Sequence, residues 1–222
     1  MKRILLGLFM VTCAMNLQAQ ENENDDFNRW KARFRLISVS PSESATIGTI
    51  GGDVEISSAF VPELDFTYFF TKNWAVELIL ATTKHDVNTI GSDLTAVGGA
   101  TNSEVDLGSV WLLPPTLSLQ YHFDGAKFKP YVGAGLNYTF FYSVDAGNAI
   151  QDVDYDNSFG FSFQAGIDYE LNDKWFLNLD AKYLLLNTDV TVDASNLAPG
   201  LSIPAEVDIN PFVVGIGFGY NF

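Results

Sequence analysis

Cysteine is almost absent from this 222-residue chain. Cys13 is the only one, and it lies inside an N-terminal targeting segment. After export the chain would have no disulfide and no cysteine-based metal site, so another device must hold it together. Basic residues are also scarce, 12 against 27 acidic ones, which excludes nucleic acid as a partner because phosphate binding needs a basic surface. Long apolar runs are missing too. No stretch after the first 19 residues supplies about 18 uninterrupted apolar residues, so no membrane-spanning helix is expected. Disorder is excluded from the other side, by 47% hydrophobic and 14% aromatic content.

The first 19 residues read as a signal peptide. Lys2 and Arg3 form a positive start, Ile4 to Met15 is a short apolar region, and Leu17-Gln18-Ala19 fits a signal-peptidase site. Thr12 is a poor residue for a lipoprotein cleavage before Cys13. Cleavage near Ala19 removes two basic residues and leaves ten against 27 acidic ones, a net charge of −17. Residues 20–222 then form one exported domain, either soluble or a membrane β-barrel.

The dominant pattern in that domain is period-two alternation, the mark of β-strands with two unlike faces. Trp30, Ala32, Phe34 and Leu36 interleave with Lys31, Arg33 and Arg35. Phe60 to Phe70, Trp74 to Leu80, Trp111 to Phe123, Phe128 to Phe140, Phe159 to Leu171, Trp175 to Tyr183 and Phe212 to Phe222 repeat it, giving eight strands. Their connections alternate between tight turns (71–73, 124–127, 172–174) and long segments (41–58, 84–109, 142–157, 188–206). Trp30, Trp74, Phe123, Phe128, Trp175 and Phe222 lie beside the short turns or termini. Phe60, Trp111, Phe140 and Phe159 lie beside the long loops. A soluble β-sandwich would alternate as well, but would not sort its loops by length or gather aromatics at strand ends. The fold class is therefore all-β: an eight-stranded antiparallel transmembrane β-barrel with short periplasmic turns and long extracellular loops, in the outer membrane of a Gram-negative cell.

Several stretches carry a resemblance as well: Trp30 to Arg33, TYFFTKNWAVEL (67–78), LPPTLSLQYHF (113–123), KPYVGAGLNYTFF (129–141), FQAGIDYELNDKWFLNLDAKY (163–183) and DINPF (208–212). Over nearly the whole mature length the chain resembles the OmpW family of small outer-membrane proteins. The resemblance implies an eight-stranded barrel with a narrow, largely hydrophobic channel for small hydrophobic molecules. It implies transport without enzymatic activity.

The inward-facing rows change character with height. Near the periplasmic end, Arg33, Arg35, Asp65, Glu77, Lys129, Asp168, Asp180 and Lys182 are expected to form a charged floor, because charges in so narrow a space must be paired or hydrated. Above them Ile37, Val61, Ile79, Leu112, Phe141, Leu184 and Leu186 are expected to line an apolar pocket for a small hydrophobic ligand. Pro114 and Pro115 cannot donate to a strand ladder, so they mark a bulge or broken pairing and a candidate lateral opening toward lipid. Against this channel stands a second reading, a structural or surface-interaction barrel with a filled lumen and partner-binding loops.

Other features are weaker. His85 near the outer rim, with Ser92 or Ser103, is the only arrangement open to a lipid-modifying enzyme, and nothing in the sequence orients it. DVDYDN (152–157) places acids at every second position but lacks the glycine and terminal Glu of a calcium loop. Neither a metal nor a cofactor is expected. The expected partners are outer-membrane lipids and lipopolysaccharide, the small hydrophobic ligand, and the barrel-assembly machinery, which would read the terminal Phe222.

Overall fold

A computed structural model describes residues 28–222. The signal peptide read at residues 1–19 lies outside the described residues. In chain order the strands are β1 (Trp30–Ser40), β2 (Ser44–Ile47), β3 (Asp53–Ile56), β4 (Ala59–Phe69), β5 (Trp74–Ala81), β6 (Thr83–Ser92), β7 (Ser103–Leu113) and β8 (Thr116–His122). They continue with β9 (Phe128–Ala146), β10 (Asp152–Tyr155), β11 (Ser158–Glu170), β12 (Trp175–Leu185), β13 (Asn187–Asp193), β14 (Ser202–Asp208) and β15 (Phe212–Asn221).

Eight of these close a ring in the order β1-β4-β5-β8-β9-β11-β12-β15, with β15 returning antiparallel to β1. Closure is what hydrocarbon demands, since an open sheet edge there would leave backbone groups without partners. The β1–β15 seam runs from Lys31↔Asn221 to Ser40↔Phe212, and the Phe222 amide donates to the Trp30 carbonyl at 2.9 Å. The last strand is thus zipped to the first.

The outer face of the ring is apolar and exposed: Phe34, Leu36, Leu64, Phe66, Leu117, Leu136, Phe163, Leu179, Ile216 and Phe218 all stand on it. An apolar belt this continuous needs lipid rather than water around it. Aromatic pairs bound the belt. Trp30–Tyr68, Trp74–Tyr121, Phe128–Tyr169 and Trp175–Tyr220 sit at the short-turn end, with ring centroids 4.8 to 5.1 Å apart. Tyr138, Phe140 and Phe159 cluster at the other end.

The four long connections are not irregular loops, as their Gly, Ser, Asn and Asp content suggests. They carry β2, β3, β6, β7, β10, β13 and β14, which raise the wall beyond the outer aromatic girdle in two sheets, β10-β13-β14-β2 and β3-β6-β7-β9. Here the two faces trade places. Along β13, Thr188, Val190 and Val192 are buried inside while Asn187, Asp189 and Thr191 are exposed. Water replaces lipid on the outside, so the polar row turns outward and the apolar row turns in.

The chain also crosses between β7 and β8 at Pro114 and Pro115. Neighbouring pairing stops at Ile79↔Thr116 and resumes at Thr83↔Leu112. The Pro114 carbonyl accepts from Asn137 Nδ2 at 3.2 Å, and the Pro115 carbonyl from the Tyr138 amide at 3.1 Å. The ladder is interrupted on one side of this stretch and held on the other.

Glycine is required at position 217. A Cβ there would meet the Phe34 carbonyl oxygen and lie 2.7 Å from the Arg35 Cα, both backbone atoms of the neighbouring strand. Gly217→Val is therefore expected to destabilise the β1–β15 seam by about 1–3 kcal/mol. The check is the urea midpoint in lipid vesicles, read from the gel shift between folded and heat-unfolded barrel. An unchanged midpoint would show that the seam relaxes freely.

Candidate functional site

The lumen has two storeys, and β1 supplies three of the four buried bases of the lower one. Its inward row, Lys31, Arg33 and Arg35, meets acids from β4, β5, β11 and β12. Arg33 Nη1 donates to Asp65 Oδ1 at 3.0 Å, to Thr67 Oγ1 at 2.7 Å and to Glu77 Oε1 at 3.1 Å, while its Nη2 donates to Asp168 Oδ2 at 3.1 Å. Arg35 Nη2 donates to Glu77 Oε1 at 3.3 Å. Arg35 also lies 2.8 Å from Glu63 Oε1 through Nε and 2.6 Å from Asp65 Oδ2 through Nη2, ion-pair distances without hydrogen-bond alignment. Lys182 Nζ is 2.8 Å from both Glu63 Oε1 and Asp180 Oδ1. Lys31 Nζ reaches Asp168 Oδ2 at 3.0 Å.

Neutral groups occupy positions between the charges. Tyr131 Oη donates to Asp180 Oδ2 at 2.7 Å, Gln164 Nε2 donates to Glu77 Oε2 at 2.8 Å, and Asn178 Nδ2 donates to Asp168 Oδ1 at 2.8 Å. Beneath them the rings of Phe69, His122, Tyr131 and Phe176 close the base, with Lys31 Nζ 4.9 Å from the Phe69 centroid and 5.1 Å from that of Phe176. Four buried bases and five buried acids thus fill the section, and both arginine side chains have no solvent contact. This is a packed plug held by charge pairs.

Of the residues expected in the floor, Arg33, Arg35, Asp65, Glu77, Asp168, Asp180 and Lys182 come together. Lys129 does not. It sits at the periplasmic rim, 35% exposed, paired with Glu170 at 2.5 Å. Its strand begins at Phe128, so position 129 lies at the end of the barrel, below the plug. Glu63, Thr67, Tyr131, Gln164 and Asn178 complete the network and were not anticipated. Glu63 and Thr67 follow from the alternation that predicted Asp65. Tyr131 is an aromatic residue on the inward row, where the apolar-outward pattern gives no signal for it.

Above the plug lies an apolar cavity of about 130 Å³. Ile37, Ile79, Leu112, Phe141, Leu184 and Leu186 line its lower part. Val61 stands behind them, packed against the cluster of Ile37, Val39, Leu184 and Val213. Higher up, Val54, Val87, Val105, Val110, Val190, Val192 and Ile203 continue the lining on the extracellular sheets. Leu94, Val97, Leu197 and Leu201 come in from the loop tips. Only Glu63 and Lys182 bring charge to it, at its floor. Pro114 and Thr116 are also on its wall, so the interrupted ladder borders the cavity.

The Ser92 and Ser103 hydroxyls are engaged away from His85. Ser92 Oγ donates to Thr89 Oγ1 at 3.1 Å and Ser103 Oγ to the Ala100 carbonyl at 2.9 Å, while His85 Nδ1 is 2.6 Å from the Ser57 carbonyl. Burial pulls the His85 imidazole below its ordinary value, so its ring is neutral near pH 7. Asp152 and Asp154 are exposed on the outer face of β10, with Val153 turned inward, so the DVDYDN acids begin as the wet side of a strand.

Several known proteins are similar to this chain. The model of the OmpW family matches residues 30–222. The uncharacterized outer-membrane protein y4mB of Sinorhizobium fredii is 43% identical over 87% of this chain and 80% of its own length. Outer membrane protein W of Vibrio cholerae is 32% identical over the full length of both. A more distant relative, the dibenzothiophene metabolism operon protein PahQ of Pseudomonas aeruginosa, is 28% identical over 87% of this chain and 88% of its own. Among solved structures, the outer membrane protein OprG of Pseudomonas aeruginosa superposes with a TM-score of 0.77 at 29% identity, covering 88% of this chain and 96% of that one.

The plug predicts a contrast between two cations. Arg35→Met removes the partner of Glu63, Asp65, Glu77 and Asp180 and is expected to cost about 3–5 kcal/mol of stability, the penalty of stranding buried charge. Lys129→Met at the wet rim is expected to cost no more than about 1 kcal/mol. Urea unfolding of both variants in vesicles checks this, and equal losses would contradict it.

Proposed function

The chain belongs to the OmpW family of outer-membrane barrels, and we propose that it takes up small hydrophobic molecules across the outer membrane. The observation that carries this reading is the apolar cavity standing on a sealed, charged floor. A cavity of about 130 Å³ matches a single aromatic ring, for an engineered cavity of about 150 Å³ binds benzene. PahQ is named for a dibenzothiophene metabolism operon, which agrees in substrate class, an apolar aromatic compound.

On this reading the ligand enters from the extracellular sheets, settles above Lys182 and Glu63, and leaves sideways into lipid. Crossing the floor would mean separating buried ion pairs, whereas the wall at Pro114 and Pro115 already lacks a stretch of ladder. Passage from an apolar cavity to an apolar bilayer requires no return to water. The partners fit the same account: lipids and lipopolysaccharide around the belt, and the assembly machinery reading Phe222, which stands 65% exposed at the seam.

Uptake of toluene by cells depleted of other small barrels tests the proposal. Leu184→Asp places an unpaired carboxylate in the lining and is expected to lower the uptake rate at least about tenfold, as a buried charge or its hydration expels the ligand. The double change of Pro114 and Pro115 to valine is expected to slow uptake while leaving toluene binding intact. Equal uptake by wild type and Leu184→Asp would favour the reading of a filled, structural barrel.

A further inference from the structure

One buried polar group in the apolar cavity is left over by the reading above. His85 is on the inward row of β6, with Thr83, Val87 and Thr89, and all four line the cavity. Its cross-strand neighbour in the ladder is Val110, and Leu112 stands opposite Thr83. The residue is 4% exposed. Its Nδ1 is 2.6 Å from the carbonyl oxygen of Ser57. A carbonyl only accepts, so Nδ1 must carry the proton, and in a neutral ring Nε2 is then a bare acceptor. Among the described residues no hydrogen bond to Nε2 is found, and the atom is not one of the fully enclosed side-chain atoms that lack a partner, so it keeps contact with the cavity space.

The chemistry that suits this acceptor is narrow. Once a ligand fills the cavity, an acceptor left without a donor is costly, so the site favours a ligand that brings an O–H or N–H. A carboxylate offers only lone pairs and is rejected. An ammonium group would donate, but burying its charge among Val110, Val87 and Leu112 costs more than one hydrogen bond returns. A metal ion finds one nitrogen and no further ligands, for no group of three His, Asp or Glu side chains converges anywhere among the described residues. A neutral hydroxyl on a small apolar body meets every condition.

We propose that His85 is the specificity-determining residue of the cavity, and that its free Nε2 accepts a hydrogen bond from the hydroxyl of a small phenol or alcohol. The inference rests on the uptake reading and narrows it from hydrophobic molecules in general to those with one neutral donor. His85 is also well placed to sort ligands before release. Thr83, two residues away on the same face, belongs to the first register pair beyond the ladder break at Pro114 and Pro115.

The test uses the whole barrel in lipid nanodiscs with three ring probes of similar size: phenol, benzene and anisole. Calorimetry is expected to give phenol a Kd roughly tenfold below that of anisole, the worth of one net hydrogen bond. His85→Phe should abolish that gap. Should that variant not fold, the wild-type barrel suffices. With 15N-labelled histidine, phenol should move the Nε2 resonance of His85, whereas benzene and anisole should not. His122, the chain's other histidine, is buried in the plug and serves as the internal reference. Equal affinity for phenol and anisole, or a His85 Nε2 signal unmoved at phenol saturation, overturns the role of His85 while benzene binding keeps the uptake reading alive. Failure of all three probes to bind overturns both.

Discussion

Arg33 and Arg35 are the knot on which the lower barrel depends. They stand two residues apart on one strand, so both guanidinium groups point into the same narrow section. Between them they reach acids on four other strands, β4, β5, β11 and β12. Replacing either by a shorter side chain would strand several carboxylates at once. Charge pairs inside a protein often contribute little net stability compared with an apolar core, because desolvation cancels much of the attraction. An apolar lower core was not freely available here, however. With lipid outside, polar residues on the inner row and apolar residues on the outer row are what distinguish the inside of the barrel from its outside.

That distinction also explains why the face pattern reverses. Along the run from β12 into β13 the inward residues are Asn178, Asp180, Lys182, Leu184, Leu186, Thr188, Val190 and Val192. Polarity falls as the outer solvent changes from lipid to water. Below the outer girdle the protein must be apolar outside, and its polar atoms gather within. Above the girdle the same backbone alternation serves a water-soluble wall whose apolar residues must be hidden. The apolar cavity is a by-product of this reversal: inward residues have turned hydrophobic while the ring remains too wide for them to fill.

The parts legible in the sequence were those where one rule acts alone. Strands within the bilayer announce themselves through strict alternation between one apolar and one polar row, so the eight staves and their order of connection could be read directly. The pair Pro114-Pro115 was readable because proline lacks a donor whatever surrounds it. The extracellular strands were less legible. Segments such as 188–206 carry their apolar residues on the inner face only, diluted by turn residues, and the weak signal resembles a loop. The floor was legible in charge but not in extent. Sequence height assigns Lys129 to the floor, yet whether a residue near a strand end lies in the plug or on the rim depends on strand tilt, which alternation does not encode. Tyr131 was hidden for a different reason, since an aromatic residue in a membrane strand is expected on the lipid side.

The plug and the cavity constrain any route through the molecule more tightly than either does alone. A molecule resting above Lys182 has three ways out. Returning upward costs the hydrophobic transfer free energy it gained on entry, about 25 cal/mol per Å² of apolar surface. Moving downward requires the ion pairs of Arg33 and Arg35 to part in a section closed off from bulk solvent, at several kcal/mol for each buried ion. Moving sideways between Ile79↔Thr116 and Thr83↔Leu112 breaks no ladder pair, because proline has removed the donors there. The bilayer on the far side is as apolar as the cavity, so this exit carries no hydrophobic penalty. On the proposed uptake reading, the lowest barrier for a neutral apolar molecule therefore lies through the wall. For water and ions the same exit is closed by lipid and the downward one by the plug, so the uptake of hydrophobic molecules proposed above would not leak charge.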